Sequence, residues 1–244
     1  MIDRESRSSA PKILLLDIET APATAYVWRL FDENIGLEQL IKPSRMLCWA
    51  AKWYGGAWHI ADERRSRIRM LKALHALLSE ADAVVTYNGD RFDLPKINGE
   101  FLSAGLNPVP KVPSIDLYKT VKQLGYQSNK LLFVAKYLGI GEKVATEGFK
   151  LWADVMAGKS KAWAKMLRYN KHDVTLLERL YTKVRPYIKT HPALHVRRDG
   201  EMCRVCGSKK MQYRGTRRTL SFSIERLQCQ SCGSWCDGFR RKVP

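Results

Sequence analysis

The run Lys12-Ile13-Leu14-Leu15-Leu16-Asp17-Ile18 constrains the fold more than any other stretch of this sequence. Successive side chains of a strand leave on opposite faces, so an unbroken apolar run needs cover on both. Such a strand belongs in the middle of a sheet with further structure packed above and below it. Its far end carries two acids, Asp17 and Glu19, spaced so that both leave one face. Ionised carboxylates at the end of a buried strand are costly unless something neutralises them. Taken alone, the pair reads equally as a solvated strand end or as ligands for a cation.

The remaining pattern predicts strands over 46–53, 57–61 and 83–87, with Gly55-Gly56 as the turn between the first two. Helices are expected over 65–80, where Ile68, Leu71, Leu74, Leu77 and Leu78 recur at helical spacing, and over 94–104, 131–138, 147–156 and 160–184. A sheet-forming first half followed by helices that return to the same core predicts an α/β domain over residues 1–190. Residues 191–200 read as a linker, and 201–244 are too few for a large core, so they need a staple.

With 45% hydrophobic residues among 244, a packed core is expected, and the formal charge of +18 points to a polyanionic partner. Nucleic acid is the commonest such partner; a membrane surface or plain solubility is the alternative. No apolar run approaches the roughly 18–20 residues that cross a bilayer, so no membrane association is expected. The polar start, Met1-Ile2-Asp3-Arg4-Glu5-Ser6, lacks the apolar stretch of a secretion signal. A reducing, cytoplasmic location follows as an expectation.

Two later motifs bear on the acids of the first strand. In Thr86-Tyr87-Asn88-Gly89-Asp90-Arg91-Phe92-Asp93-Leu94-Pro95, Asp93 sits where strand and turn give way to helix. It reads as an N-cap with Pro95 in the first turn, while Asp90 reads as a solvated turn residue. On the helix expected over 160–184, Tyr169 and Asp173 stack four apart at the border of the stripe that includes Leu176, Leu177 and Leu180. That pair also fits a core tyrosine beside a solvated acid.

The ordered set is more specific than any member. Asp-x-Glu, Asn-Gly-x-x-Phe-Asp and Tyr-x-x-x-Asp together resemble the DEDD superfamily of 3′→5′ exonucleases in its tyrosine branch. They are most similar to the proofreading domains of family B DNA polymerases. The resemblance spans roughly residues 12–185. Lys136-Tyr137-Leu138-Gly139-Ile140 and Tyr169-Asn170-Lys171-His172-Asp173-Val174 look like a stand-alone phage and bacterial type. The histidine branch would need His at position 168, which is Arg168; His172 reads as a surface residue.

The resemblance implies a ribonuclease H-like mixed sheet flanked by helices. It implies that Asp17, Glu19, Asp93 and Asp173 hold two Mg²⁺ or Mn²⁺ ions, which an all-oxygen ligand set suits. Tyr169 would orient the attacking water, and Thr20, Asn88 and Phe92 would contact the terminal nucleotide. The implied activity is two-metal hydrolysis from a 3′ end in replication, repair or recombination, with single-stranded DNA favoured over RNA. Three alternatives stay open: a ribonuclease, a structure-specific endonuclease using the same site, and an accessory protein that binds nucleic acid through its C-terminal module.

That module carries Cys203-Arg204-Val205-Cys206-Gly207-Ser208 and Cys229-Gln230-Ser231-Cys232-Gly233-Ser234, near copies of one another. Four thiolates at this spacing fit one structural Zn²⁺ in a zinc ribbon, with redox or disulfide chemistry as the alternative. Cys236 reads as a spare thiol and Cys48 as core. Arg214, Arg217, Arg218, Arg226, Arg240, Arg241 and Lys242 alternate with Tyr213, Phe222, Trp235 and Phe239. Such a mixture suits single-stranded nucleic acid, or else a basic face that docks replication or repair proteins. Lys159, Lys161, Lys165, Arg168 and Lys171 either flank the site or decorate their helix.

Overall fold

The computed structural model describes residues 11–142, 147–194, 202–219 and 221–242. In chain order the first elements are β1 (Ile13–Thr20), β2 (Thr24–Ala25), β3 (Leu40–Lys42), β4 (Met46–Trp53) and β5 (Trp58–Asp62). Helix α1 (Arg67–Glu80), β6 (Ala83–Thr86), α2 (Asp93–Ser103) and β7 (Ser114–Asp116) follow. Next come α3 (Leu117–Lys122), α4 (Leu131–Tyr137), α5 (Phe149–Met156) and α6 (Ser160–Val184). The chain ends in β8 (Met211–Arg218), β9 (Phe222–Cys229) and β10 (Trp235–Lys242).

Strand β1 takes the middle of a five-stranded sheet ordered β5-β4-β1-β6-β7. It runs antiparallel to β4 and parallel to β6, which makes the sheet mixed. Its apolar run divides between the two faces. Leu14, Leu16 and Ile18 pack with Met70, Leu71 and Leu74 of α1 and with Ile97 and Phe101 of α2. Ile13 and Leu15 pack instead with Val174, Leu177, Leu180 and Tyr181 of α6. Asp17 and Glu19 continue that second series, so both leave the sheet on the α6 side.

Four contacts fix the helices of the other face. Ser66 caps α1 by accepting the Arg69 N–H at 3.3 Å, which starts the helix at Arg67 rather than at 65. The Trp49 indole donates to the Met70 carbonyl at 3.0 Å, tying α1 to β4. Buried Glu100 of α2 accepts the Met46 N–H at 2.9 Å and pairs with Arg67. Helix α2, which begins with Asp93, is thereby anchored to both β4 and α1.

Several elements go beyond the sequence expectation. The excursion between β1 and β4 forms the small β2–β3 ribbon and leaves Trp28, Leu30, Phe31 and Leu37 exposed. Strand β7 and helix α3 are too short to leave a periodic signal. Strands β8, β9 and β10 form a separate antiparallel sheet in the order β10-β9-β8. Of the expected linker, residues 195–200 lie outside the described residues. Among the described residues no helix is long and apolar enough to cross a membrane.

Candidate active site and cysteine centre

Beyond Leu15, β1 outruns its parallel neighbour. The β6 pairing ends at Leu15 with Val85, and the chain after β6 turns away through residues 87–92. That turn is held from below. Buried Asp116, at the end of β7, accepts the backbone N–H groups of Asn88 at 2.7 Å, Tyr118 at 3.1 Å and Asp90 at 3.4 Å. Asn88 takes a left-handed φ of 64°, which asparagine tolerates better than most residues. A Cβ at position 89 would lie 2.4 Å from the Thr86 side chain, so the turn requires glycine there.

The turn delivers Asp93 to β1. Its Oδ1 accepts the Ile18 N–H at 3.2 Å, filling the edge that β6 vacates. This corrects the N-cap expectation: Asp93 is the first residue of α2, and its carboxylate reaches across to β1. Asp90 is likewise no solvated residue. It accepts from Ser114 and pairs with Lys119, both at 2.5 Å.

From the α6 side, Asp173 meets Asp17 and Glu19 with carboxylate oxygens within 4.8 Å of one another. Tyr169, one turn earlier, hydrogen-bonds Asp173 and packs edge-on against Trp152. Between them in sequence lies Asn170, fully buried, whose amide donates to Asp17 Oδ2 at 2.6 Å. The sequence reading missed both Asn170 and Asp116. Asn170 was findable: it occupies a position in the buried stripe Met166, Asn170, Val174, Leu177 where an apolar residue belongs.

The electrostatics follow from crowding acids in a recess. Burial, then the charges of Asp93, Glu19 and Asp173, raise the Asp17 carboxyl well above its ordinary range, against the Asn170 hydrogen bond. Burial and the charges of Asp173 and Asp93 push Glu19 up to about 8. Burial raises Asp93 to about 7 despite the hydrogen bond from Ile18. Burial and the neighbouring charges of Asp173 and Glu19 raise the Tyr169 hydroxyl, so it stays protonated. A divalent cation removes the mutual repulsion of such a set, and its hard oxygen donors suit one.

The other expected residues are placed less centrally. Thr20 lines a groove with Pro22, Ser44, Phe149, Trp152 and Tyr169 beside the acids. Asn88 and Phe92 lie on the turn ahead of Asp93, and Phe92 is exposed. His172 stays at the surface, half-buried, with its Nε2 2.6 Å from the Glu142 carbonyl. Lys159 pairs with Asp154 and Lys165 with Glu147, while Lys171 lies over the Trp58 ring.

The cysteine centre is built twice by one local rule. Gly207 N–H bonds the Cys203 carbonyl and Cys203 N–H bonds the Ser208 carbonyl; Gly233, Cys229 and Ser234 repeat the pattern. Gly207 and Gly233 both turn with positive φ, 74° and 76°, which only glycine adopts without strain. All four sulfurs lie within 4.8 Å of one another, with Cys203–Cys232 at 3.7 Å and Cys206–Cys229 at 3.6 Å. Sulfurs bound tetrahedrally at 2.3 Å lie about 3.8 Å apart, whereas a disulfide needs about 2.05 Å. The Cys229 thiol is drawn down to about 7: burial opposes this, but the N–H groups of Cys232 and Ser231 and the neighbouring thiols outweigh it. The set is compatible with a zinc ribbon. Cys236 is buried in the small core behind it, and Cys48 is buried in β4.

Residues 56–185, more than half of the chain, match the RNase_H_2 family, described as RNase_H superfamily. Asp17 and Glu19 precede that span. A family B DNA polymerase from the hyperthermophilic archaeon Pyrobaculum calidifontis is similar in fold, with 18% sequence identity and a TM-score of 0.55. The similarity covers 73% of this chain and 25% of the polymerase chain, so this chain spans about a quarter of that protein's length. No curated protein sequence matches the chain. The mixed sheet with its flanking helices and the family match agree: this chain belongs to the RNase H superfamily.

Proposed function

We propose that this protein is a metal-dependent 3′→5′ exonuclease that removes nucleotides from nucleic acid, with single-stranded DNA as the favoured substrate. The observation that carries the reading is the convergence of Asp17, Glu19 and Asp173 from β1 and α6, with Asp93 bonded to the same strand. Asp17, Glu19, Asp93 and Asp173 would hold two Mg²⁺ or Mn²⁺ ions. When bound, such ions supply an activated water and neutralise charge on the scissile phosphate.

The chain's own residues do the rest. Asn170 donates to Asp17 Oδ2 and so orients that carboxylate. Tyr169, kept protonated, positions rather than deprotonates the attacking water. The groove of Thr20, Phe149, Trp152 and Tyr169 receives the terminal nucleotide. Cys203, Cys206, Cys229 and Cys232 hold one structural Zn²⁺, in keeping with a reducing, cytoplasmic setting. A role in replication, repair or recombination follows from the substrate.

The test compares 5′-labelled linear single strands, closed single-stranded circles and RNA, with and without Mg²⁺. A Mg²⁺-dependent ladder shortening from the 3′ end is the expected result. Cutting of circles would make the enzyme an endonuclease, faster loss of RNA would move the substrate class, and inertness on all three would overturn the nuclease reading.

A further inference from the structure

Three antiparallel strands give the C-terminal sheet two faces, and register assigns each side chain to one of them. Directly opposed residues share a face. Gln212, Gln228 and Trp235 form one row, and Arg217, Ile224 and Arg240 another. Asp237 stands opposite Arg226, and Lys242 opposite Phe222. Because Phe222, Ile224, Arg226 and Gln228 alternate along β9, all these rows lie on one face. Arg214 joins them by donating to Gln228 at 3.2 Å. The other face carries Met211, Leu227, Cys229 and Cys236, which pack into the cysteine centre.

One face therefore backs the cysteines and the other turns away from them. On the outer face the Arg226 guanidinium lies over the Trp235 ring at 4.6 Å, and Arg240 over Phe222 at 5.2 Å. The single acid, Asp237, holds Arg217 at 2.8 Å. Residues 201–244 contain ten Lys and Arg against three Asp and Glu, so the module carries much of the chain's positive charge.

A face that docks a protein presents an apolar centre with charge at its rim. Here the apolar centre is closed to solvent. The one aliphatic residue of this face, Ile224, is 2% exposed and flanked by Arg217 and Arg240, while Arg214, Arg217, Arg226, Arg240 and Trp235 are exposed. An arginine resting on an aromatic ring loses little freedom when a base stacks on it, and its remaining N–H groups can meet phosphate. Bases in a duplex are stacked on each other and cannot reach such planes.

We propose that the outer face of β8, β9 and β10 is a binding track for single-stranded nucleic acid. Trp235 with Arg226 and Phe222 with Arg240 form two stacking stations, and Arg214, Arg217 and Lys242 contact the backbone. The track is separate from the carboxylate site, and its test does not depend on cleavage.

The probe is a 5′-fluorescein thymidine 20-mer, alone or paired with its complement, read by anisotropy across a salt series. The protein is the full chain carrying Asp17→Asn and Asp173→Asn, without Mg²⁺ and without chelator. The single strand should bind about tenfold or more tighter than the duplex. Replacing Arg214, Arg226 and Arg240 together by Ala should flatten the salt dependence by about 0.7 per arginine removed. Trp235→Ala should weaken binding about tenfold with the slope kept. An unchanged slope and affinity in the triple variant would overturn the proposal, as would equal binding of duplex and single strand. If the alanine variants lose their zinc, Arg226→Lys with Arg240→Lys decides. These keep the charge and lose the plane, so weaker binding at the same slope supports the track and undiminished binding sinks it.

Discussion

The carboxylate site and the cysteine centre both gather like ligands, yet they are assembled in opposite ways. Each half of the cysteine centre is a six-residue turn closed by its own backbone hydrogen bonds, and the halves are joined by the β8–β9 pairing and by the Gln230 N–H donating to the Lys210 carbonyl. The carboxylates come from a central strand, a helix start and a long helix, with over 150 residues between Asp17 and Asp173. No local rule brings them together; the two-sided packing of β1 does. We expect the locally built site to depend on a bound metal for its folding, as small metallo-domains do, and the site built by topology to stand without one.

The largest effect that could break this contrast is at Asp173. Asp173→Ala should lower nuclease activity by at least about a hundredfold, the scale of losing one preorganised charge-bearing group. The melting temperature should hold or rise. A collapse of the fold would mean that the acids are structural, contrary to a scaffold that pre-exists its ligand.

Next comes Cys206→Ser. It should abolish zinc retention, read with a chromogenic chelator, and open 211–242 to rapid amide exchange while the five-stranded sheet stays protected. Gly233 approaches Pro186, just past α6, so a shift of a few degrees in the main transition is compatible with the contrast. Loss of protection in β1 and β6 is not.

The smallest effect concerns Glu19. Its folded carboxyl titrates near 8 against an ordinary value of 4.5, because burial and the charges of Asp173 and Asp93 favour the protonated form. A raised folded value means that this group's favourable contribution is complete below about pH 4.5 and lost as the pH climbs towards 8. In Mg²⁺-free buffer, Glu19→Gln should therefore melt a few degrees above the parent at pH 8.5 and level with it at pH 4.5. Added Mg²⁺ should stabilise the parent and not the variant. An advantage for Gln that is the same at both pH values would show that Glu19 is not crowded by charge.

The difference in assembly also explains what the sequence revealed. The knuckles are legible because their whole logic lies within six residues. Strand β1 and helix α6 are legible from an apolar run and a long periodic stripe. Asp93 was recognisable as a motif residue, but its partner was not, since the bond to Ile18 arises only because β6 stops short. Asp116 stayed hidden for a related reason. It sits on a three-residue strand, and its role is to brace a turn 26–28 residues upstream. The family resemblance anticipated the superfamily; the supporting residues needed the packed chain.

The bond from Ile18 to Asp93 has a consequence for how this chain can vary. The donor is a backbone N–H, so the contact is indifferent to the side chain at position 18. That side chain faces the opposite core, against α1 and α2. Valine or leucine could replace it as the core drifts, with Asp93 still held; proline alone would remove the donor. One residue thus answers to two selections that do not interfere, its side chain tuned by packing and its amide reserved for the site.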